Sequence, residues 1–493
     1  MQPIQLKILW YYKLPPNMND EKKIKKNILE KINQITETKD FVQSTTIVGS
    51  FESKGLDVIS DIDIVIVVDQ LNKEKFEKLI NEFKCINTSL IGLKGYELIV
   101  NSSFGPLKFN AEKTIVFHVM IYDITGHIKH VEASPFTCHS WEQNSTLNGK
   151  SLSEIYPVVT LNISDLMKSR RGLVSYLNDL NSGVISYRDY VFAENTYSEK
   201  KKSYPLDKKH LLEYSYHIIY HLLNNFYKIL SKDSKSLKVE KLKNVISEIG
   251  LGDKIELNIL IKLSKWKNNK GKVDFDVIKG VKLFLKNFFD ILEKEIHSCP
   301  TVFFLRHQKT HLNDGTFLGI SRDPGIIDFE YSGQETFDVG YHSELLRSFE
   351  TIQKFNCKTL KVTKLLNEID YGKIEGFSFD ELKLEYPDII KLWNNKKDPK
   401  FPDGESQNDV ATRVEFFMDE ILDINKKTIV VTHLVTLRLI LFKLLKIPIH
   451  DIYKIQIDHL EGFKFVNCMN FLVPQFNSHF VTHLRKKLSN TYG

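Results

Sequence analysis

Two short apolar runs, TVFFL at 301–305 and TIVVT at 428–432, constrain this chain more than any other feature in it. Neither shows the apolar-polar alternation of a half-exposed strand, so each reads as a strand buried on both faces. Helical patterns at 343–355, 379–395 and 407–424 lie between them. Buried strands alternating with helices predict a three-layer α/β/α domain around a largely parallel sheet. Each run ends in a histidine, His307 after the first and His433 after the second. In an open α/β sheet, ligands bind in the crevice beyond the carboxyl ends of the strands. Two distant strands that both end in histidine therefore point to one site.

A chain of 493 residues is too long for a single core. The pattern predicts a multidomain α/β protein with boundaries at 1–150, 151–298 and 299–493. In the first part, Ile24, Ile28, Ile32 and Ile35 recur at helical spacing within 20–38, and strand-like runs follow at 45–48, 62–68, 96–100 and 114–122. KEKFEKLINEFKCI supplies a helix between the second and third runs, which gives a small α+β sheet. From 160 to 297 the strand signal fades and four helical patterns follow, broken by the polar stretch 195–205, so the middle is expected to be all-helical.

Hydrophobic residues make up 42% and charged residues 26%, as in an ordinary globular protein. The 68 basic residues exceed the 62 acidic ones by only six, spread along the chain, so a nucleic-acid partner is not favoured. The five cysteines are far apart and form no CxxC pair, which argues against a disulfide framework or a zinc site. No segment reaches about 18 consecutive apolar residues. A cytoplasmic protein without a membrane partner is the expectation, and the oligomeric state is open. There is no internal repeat and no GxxxxGK[ST] phosphate loop.

The segment TVFFLRHQKTHLN resembles the histidine phosphatase (phosphoglycerate mutase-like) superfamily, with Arg306, His307, Thr310 and Asn313 on its Arg-His signature. HSELLRSFETI is similar to the family's second phosphate-binding helix, with Ser343 as N-cap, Arg347 as second arginine and Thr351 behind it. LLNEIDYGKIEG resembles the proton-donor loop and assigns Glu368; FPDGESQNDVATRVEFF carries Arg413; VVTHLVTLRLIL supplies His433. The likeness is nearest to the phosphatase half of the bifunctional enzymes that regulate fructose bisphosphate. It implies His307 as nucleophile, Glu368 as proton donor, His433 as a further catalytic group, and Arg306, Asn313 and Arg347 as phosphate ligands. Such residues suit a dianionic phosphomonoester, whose oxygens they hold while phosphohistidine forms and water releases phosphate. Glu368 has to carry a proton to deliver one. No metal is needed there. Gln308 stands where the family usually has Gly, and is expected to alter the pocket.

IVGSFESKGLDVISDIDIVIVV places Gly49-Ser50 after one strand and Asp61 and Asp63 at the start of the next. Alternation puts both carboxylates on one face, where a cation would relieve their repulsion. This resembles the polymerase β-type nucleotidyltransferase superfamily. The resemblance implies that Gly49 and Ser50 contact a nucleoside triphosphate and that Asp61 and Asp63 hold Mg²⁺. A third carboxylate is expected on a later strand, where TIVFHVMIYD offers His118 and Asp123, while Glu97 lies on an earlier one; His118 in that place would make the site slow, altered or inactive. Lys168, Arg170 and Arg171 read as a solvated helix end. The combined expectation is a bifunctional enzyme: Mg²⁺-dependent nucleotidyl transfer to a small, phosphorylated acceptor, joined to phosphomonoester hydrolysis. The alternatives are a phosphatase controlled by a catalytically weak nucleotide-binding module, or an RNA-modifying or defence-type transferase.

Overall fold

Strand β8 (Thr301–Arg306) and strand β11 (Thr428–Thr432) are direct neighbours, paired in parallel with Val302 opposite Thr428 and Arg306 opposite Thr432. This is the arrangement that their two-sided apolar character calls for. The computed structural model describes residues 18–49, 51, 61–105, 114–206, 208–232, 237–248 and 275–489. Contacts gather them into two units: Met1–His130 with Ser140–Ile155 and Val184–Pro205, and Val131–His139 with Tyr156–Gly183 and Leu206–Gly493.

In the second unit a six-stranded sheet runs β10 (Asn356–Val362), β9 (Thr336–His342), β11, β8, β12 (Gly462–Cys468), β13 (Phe471–Pro474). The first four are mutually parallel, and β12 and β13 close the far side as an antiparallel pair. Alternation sends Val302, Phe304 and Val430 into one core with helices Gln407–Phe416 and Leu434–Leu445. Leu305, Ile429 and Val431 pack on the opposite face with Ile352 of helix Leu346–Ile352. A three-layer α/β/α arrangement follows. Helices Lys208–Ser231, Val239–Glu248 and Phe275–Ser298 belong to the same unit, the last leading directly into β8.

The first unit is a mixed sheet in the order β3 (Glu97–Asn101), β4 (Thr114–Asp123), β2 (Asp61–Val68), β1 (Val42–Val48), β5 (Thr146–Gly149). Helices Met18–Thr36 and Lys73–Lys84 cover one face, where Ile28, Ile32 and Phe83 meet Ile62, Ile64 and Phe117. Asp61 and Asp63, at the alternate positions, point from the other face.

One expectation needs correction. The middle segment is not all-helical: β6 (Val184–Ala193) and β7 (Thr196–Pro205) form an antiparallel hairpin turning at Glu194-Asn195. It belongs to the first unit, where Tyr190, Phe192 and Tyr197 pack against the sheet core and the Tyr190 hydroxyl donates to the Ile121 carbonyl at 2.7 Å. Lys200, Lys201 and Lys202 fill β7 positions, so no apolar run announced a strand. The pattern at 165–180 also splits into two helices, Ile163–Lys168 and Leu173–Ser182, around Arg171 at φ +60°.

Candidate active site

Because Arg306 lies opposite Thr432, the next residues, His307 and His433, emerge side by side. The His307 amide donates to the Thr432 carbonyl at 2.9 Å, and the two rings stand 4.9 Å apart. His307 is 3% exposed and His433 fully buried. His307 Nδ1 meets the Gln308 carbonyl at 2.6 Å. A carbonyl only accepts, so Nδ1 carries the hydrogen and the neutral ring keeps its lone pair on Nε2. Burial first, and then the positive charge of Arg347, push the pKa of both histidines well below the ordinary value. Both rings are neutral at pH 7.

Two guanidinium groups face this pair, Arg347 buried and Arg306 half-buried. Arg347 is held by the Gly319 carbonyl at 2.6 Å, the Arg322 carbonyl at 3.3 Å and Asp323 Oδ1 at 3.2 Å. Arg306 donates through Nη1 to the Ile457 carbonyl at 2.8 Å, and burial lowers its pKa to about 10. The Nε–H of each arginine and Nδ1 of His433 are buried without a protein partner. An unsatisfied buried polar group costs about 1–3 kcal/mol, so three of them at one strand end mark a place suited to an anion. Asn313 Oδ1 accepts from the Thr310 amide at 2.8 Å and hydroxyl at 3.0 Å, which leaves its amide NH₂ as the donor for a ligand.

Glu368 is 6% exposed, beside the first turn of helix Leu434–Leu445. Its carboxyl oxygens accept from the amides of Ile369 at 3.0 Å, Val435 at 3.3 Å and Thr436 at 3.4 Å. Arg413 clamps the loop that carries it, donating to the carbonyls of Leu365 and Asn367 at 2.8 Å and Glu368 at 3.1 Å. Ser343 differs from its expected part: the N-cap of helix Leu346–Ile352 is Leu345, and the Ser343 hydroxyl instead pairs with His433 Nε2 at 2.7 Å. Thr351 does stand behind Arg347, donating to its carbonyl at 2.6 Å and accepting from the Gln308 amide at 3.0 Å. The Gln308 side chain folds back onto the Lys309 amide at 2.8 Å. Its two backbone groups serve the site, and its side chain does not need to.

In the first unit Asp63 lies opposite His118 on β4, and His118 opposite Asn101 on β3, so one row of the sheet carries all three. His118 Nδ1 contacts Asp63 Oδ1 at 2.8 Å, and Nε2 contacts the Ser103 carbonyl at 2.7 Å. Burial lowers the His118 pKa, but the hydrogen bond and charge of Asp63 outweigh it and the net shift is upward. Asp123 lies opposite Val68, at the far end of the strand from Asp63, and accepts from the Gly126 amide; Glu97 lies opposite Thr114. Gly49 has φ +80° and a Cβ there would lie 2.6 Å from Asp63 Oδ2, so only glycine allows this approach. Ser50 lies outside the described residues. Among the described residues no group of three or more His, Cys, Asp or Glu side chains is placed to hold a metal. One Asp63 oxygen is engaged by His118, and the other lies on the side of Gly49.

The C-terminal geometry has a counterpart in known proteins. Residues 329–464 match the histidine phosphatase superfamily (branch 1). The matched stretch includes Arg347, Glu368, Arg413 and His433, whereas Arg306, His307 and Asn313 precede it. Similar curated proteins include a fructose-2,6-bisphosphatase of Saccharomyces cerevisiae, 32% identical over 35% of this chain and 40% of its own length. Another is a 6-phosphofructo-2-kinase/fructose-2,6-bisphosphatase 4 of Rattus norvegicus, 27% identical over 32% of this chain and 38% of its own length. The chain thus spans less than half of each. Among solved structures, the alpha-ribazole phosphatase from Shigella flexneri aligns with TM-score 0.32 at 20% identity, over 36% of this chain and 94% of its own.

Three groups around His307 and Glu368 were not legible in the sequence. His459 packs on His307, ring centres 5.2 Å apart. Arg438 is buried on helix Leu434–Leu445, five residues after His433, with Nε on the Ile455 carbonyl at 2.6 Å. Tyr371 is half-buried, close enough to feel the Glu368, Arg438 and Arg306 charges. Helix Leu434–Leu445 carries only two charged residues, and Arg438, unlike Lys443, falls in its middle among apolar neighbours, which was the signal available for it. His459 lies in a loop with no motif, and only the fold brings it to β8. Among the described residues, no helix is long and apolar enough to cross a membrane.

Proposed function

We propose that the C-terminal domain hydrolyses a phosphomonoester through a phosphohistidine on His307. The observation that carries this is the His307 tautomer: Nδ1–H is committed to the Gln308 carbonyl, and the neutral ring has its Nε2 lone pair beside Arg306, Arg347 and His433. Nε2 attacks phosphorus, the P–O bond to the leaving group breaks, and Glu368 gives that oxygen its proton. Water then gives a proton back to Glu368 as it attacks the phosphohistidine; the N–P bond breaks, phosphate leaves, and neutral His307 and protonated Glu368 are restored. The arginines and Asn313 hold the equatorial oxygens, where charge builds. The similarity to proteins named fructose-2,6-bisphosphatase favours a small sugar phosphate as substrate. The test is hydrolysis across a panel of phosphorylated metabolites, with an acid-labile phosphoenzyme trapped on quenching. Hydrolysis retained by His307→Ala would sink the assignment.

For the first unit the reading favoured is a catalytically weak nucleotide-binding module that controls the phosphatase. The contact between His118 and Asp63 supports it over full Mg²⁺-dependent nucleotidyl transfer. Transfer of a nucleoside monophosphate from any triphosphate, dependent on Mg²⁺ and abolished in Asp63→Ala, would instead establish the transferase. Nucleotide binding without transfer would support the module.

A further inference from the structure

The carbonyl of His307 and the amide of Gln308 belong to one peptide plane, and both of its polar ends are taken by side chains from elsewhere. The amide donates to Thr351 Oγ1 at 3.0 Å. The carbonyl meets His459 Nδ1 at 3.0 Å, which makes Nδ1 the protonated nitrogen of that ring. This plane governs the next carbonyl along, that of Gln308, which fixes the His307 tautomer at 2.6 Å.

His459 reaches this position on a short strap laced to the same strand end. The Arg306 amide donates to the Glu461 carbonyl at 2.9 Å, the Leu460 amide to the Arg306 carbonyl at 3.2 Å, and Arg306 Nη1 to the Ile457 carbonyl at 2.8 Å. Leu460 has φ +59°, the left-handed region. For a residue with a Cβ that costs on the order of 1 kcal/mol, and such strain gathers where a chain must present a side chain in one fixed place. The His307 ring is flanked by His433 at 4.9 Å and by His459 at 5.2 Å, tilted 57°.

We propose that His459 is a positioning residue for phosphoryl transfer: by holding the His307–Gln308 peptide and covering one side of the ring, it keeps Nε2 of His307 aimed at phosphorus. This rests on the phosphatase reading. Burial and the nearby Arg306 charge bring the His459 pKa to about 4, so it is a neutral donor through the physiological range.

Two variants separate the hydrogen bond from mere filling of space. His459→Phe keeps an aromatic ring against His307 but loses the donor; His459→Asn keeps an N–H near the place of Nδ1. His459→Phe should lower kcat by about 10–100-fold, the scale of a misplaced reacting group, with KM changed less than about threefold. It should also weaken binding of orthovanadate by about tenfold, because that ion mimics the five-coordinate transition state and needs the same aim. His459→Asn should recover most of both. Wild-type kcat and orthovanadate affinity in His459→Phe would overturn the proposal. So would equal impairment of the two variants, since that would mean packing and not the donor matters. If the unaltered chain neither hydrolyses a phosphomonoester nor binds orthovanadate, the phosphatase reading falls, and this role with it. If it does both and His459→Phe matches it, only the role of His459 falls.

Discussion

His307, buried just past the end of β8, and His118, half-buried within β4, are the same residue, yet their surroundings drive them in opposite directions. His307 lies among guanidinium groups, with a carbonyl on Nδ1, so it is neutral and keeps a lone pair to react with. His118 lies between a carboxylate and a carbonyl, so both ring nitrogens meet acceptors and its proton is held more tightly. Burial lowers the pKa of either ring; the charge beside it decides the outcome. One ring thereby keeps a lone pair on Nε2, and the other is held as the hydrogen-bonded partner of a carboxylate.

The largest expected effect tests the reactive side of that contrast. His307→Ala should reduce phosphomonoester hydrolysis by about 10³-fold or more and abolish the acid-labile phosphoenzyme, measured by turnover and quench trapping. Arg347→Lys keeps a positive charge but loses the planar fork that the Gly319, Arg322 and Asp323 partners hold. It should cost about 10²-fold in kcat/KM with the fold intact by circular dichroism.

On the structural side, His118→Ala removes the partner of Asp63 and should destabilise the first unit by about 1–3 kcal/mol, read from denaturant unfolding followed by a probe in that unit. The phosphomonoester hydrolysis proposed for the second unit should stay within about twofold, a barrier change under about 0.5 kcal/mol. A large loss of hydrolysis would break the division of roles drawn above.

Acidity should separate the two regions by sign. His307, His433 and His459 have lowered folded pKa values, so below about 6.5 the unfolded chain takes up protons that the folded site refuses, and stability falls as pH drops. For His459 that window runs from the unfolded value down to about 4. His118 has a raised folded pKa, so its contribution is full below the unfolded value and is lost as pH rises through the folded one. Thermal unfolding at pH 5, 6, 7 and 8, with probes in each unit, would show opposite slopes, each up to about 1.4 kcal/mol per pH unit per group. Slopes of the same sign would remove the contrast.

The smallest effect concerns Gln308. Its amide and carbonyl do the positioning, and its side chain turns to the Lys309 amide. Gln308→Gly should therefore change kcat by less than about threefold, under about 0.7 kcal/mol of barrier, with any difference appearing in the choice among substrates.

Much of the C-terminal domain was legible because its period and its chemistry agree. Apolar runs that bury both faces can only be inner strands, and histidines placed just after them mark the ligand-binding edge. Arg347 and Glu368 came with the motif order, and the structure brings them to His307 and His433. The hairpin of β6 and β7 was hidden because lysines occupy exposed β7 positions, and because its aromatic face is justified only by a core contributed by the first unit. Ser343 looked like an N-cap because serine before a helix usually is one; its bond to His433 depends on a strand 90 residues away.

The sequence by itself determined the parallel sheet of the second unit, the order of its reactive residues and the pairing of Asp61 with Asp63 on one face, since all of these follow from local period and spacing. Tertiary structure alone decided which ring is neutral and which keeps its proton. It also decided that Asp63 is engaged by His118, and that an unannounced loop histidine meets the His307 carbonyl. Those outcomes depend on distances of about 3 Å between groups far apart in the chain, and electrostatics and hydrogen bonds answer to those distances and not to spacing along the sequence.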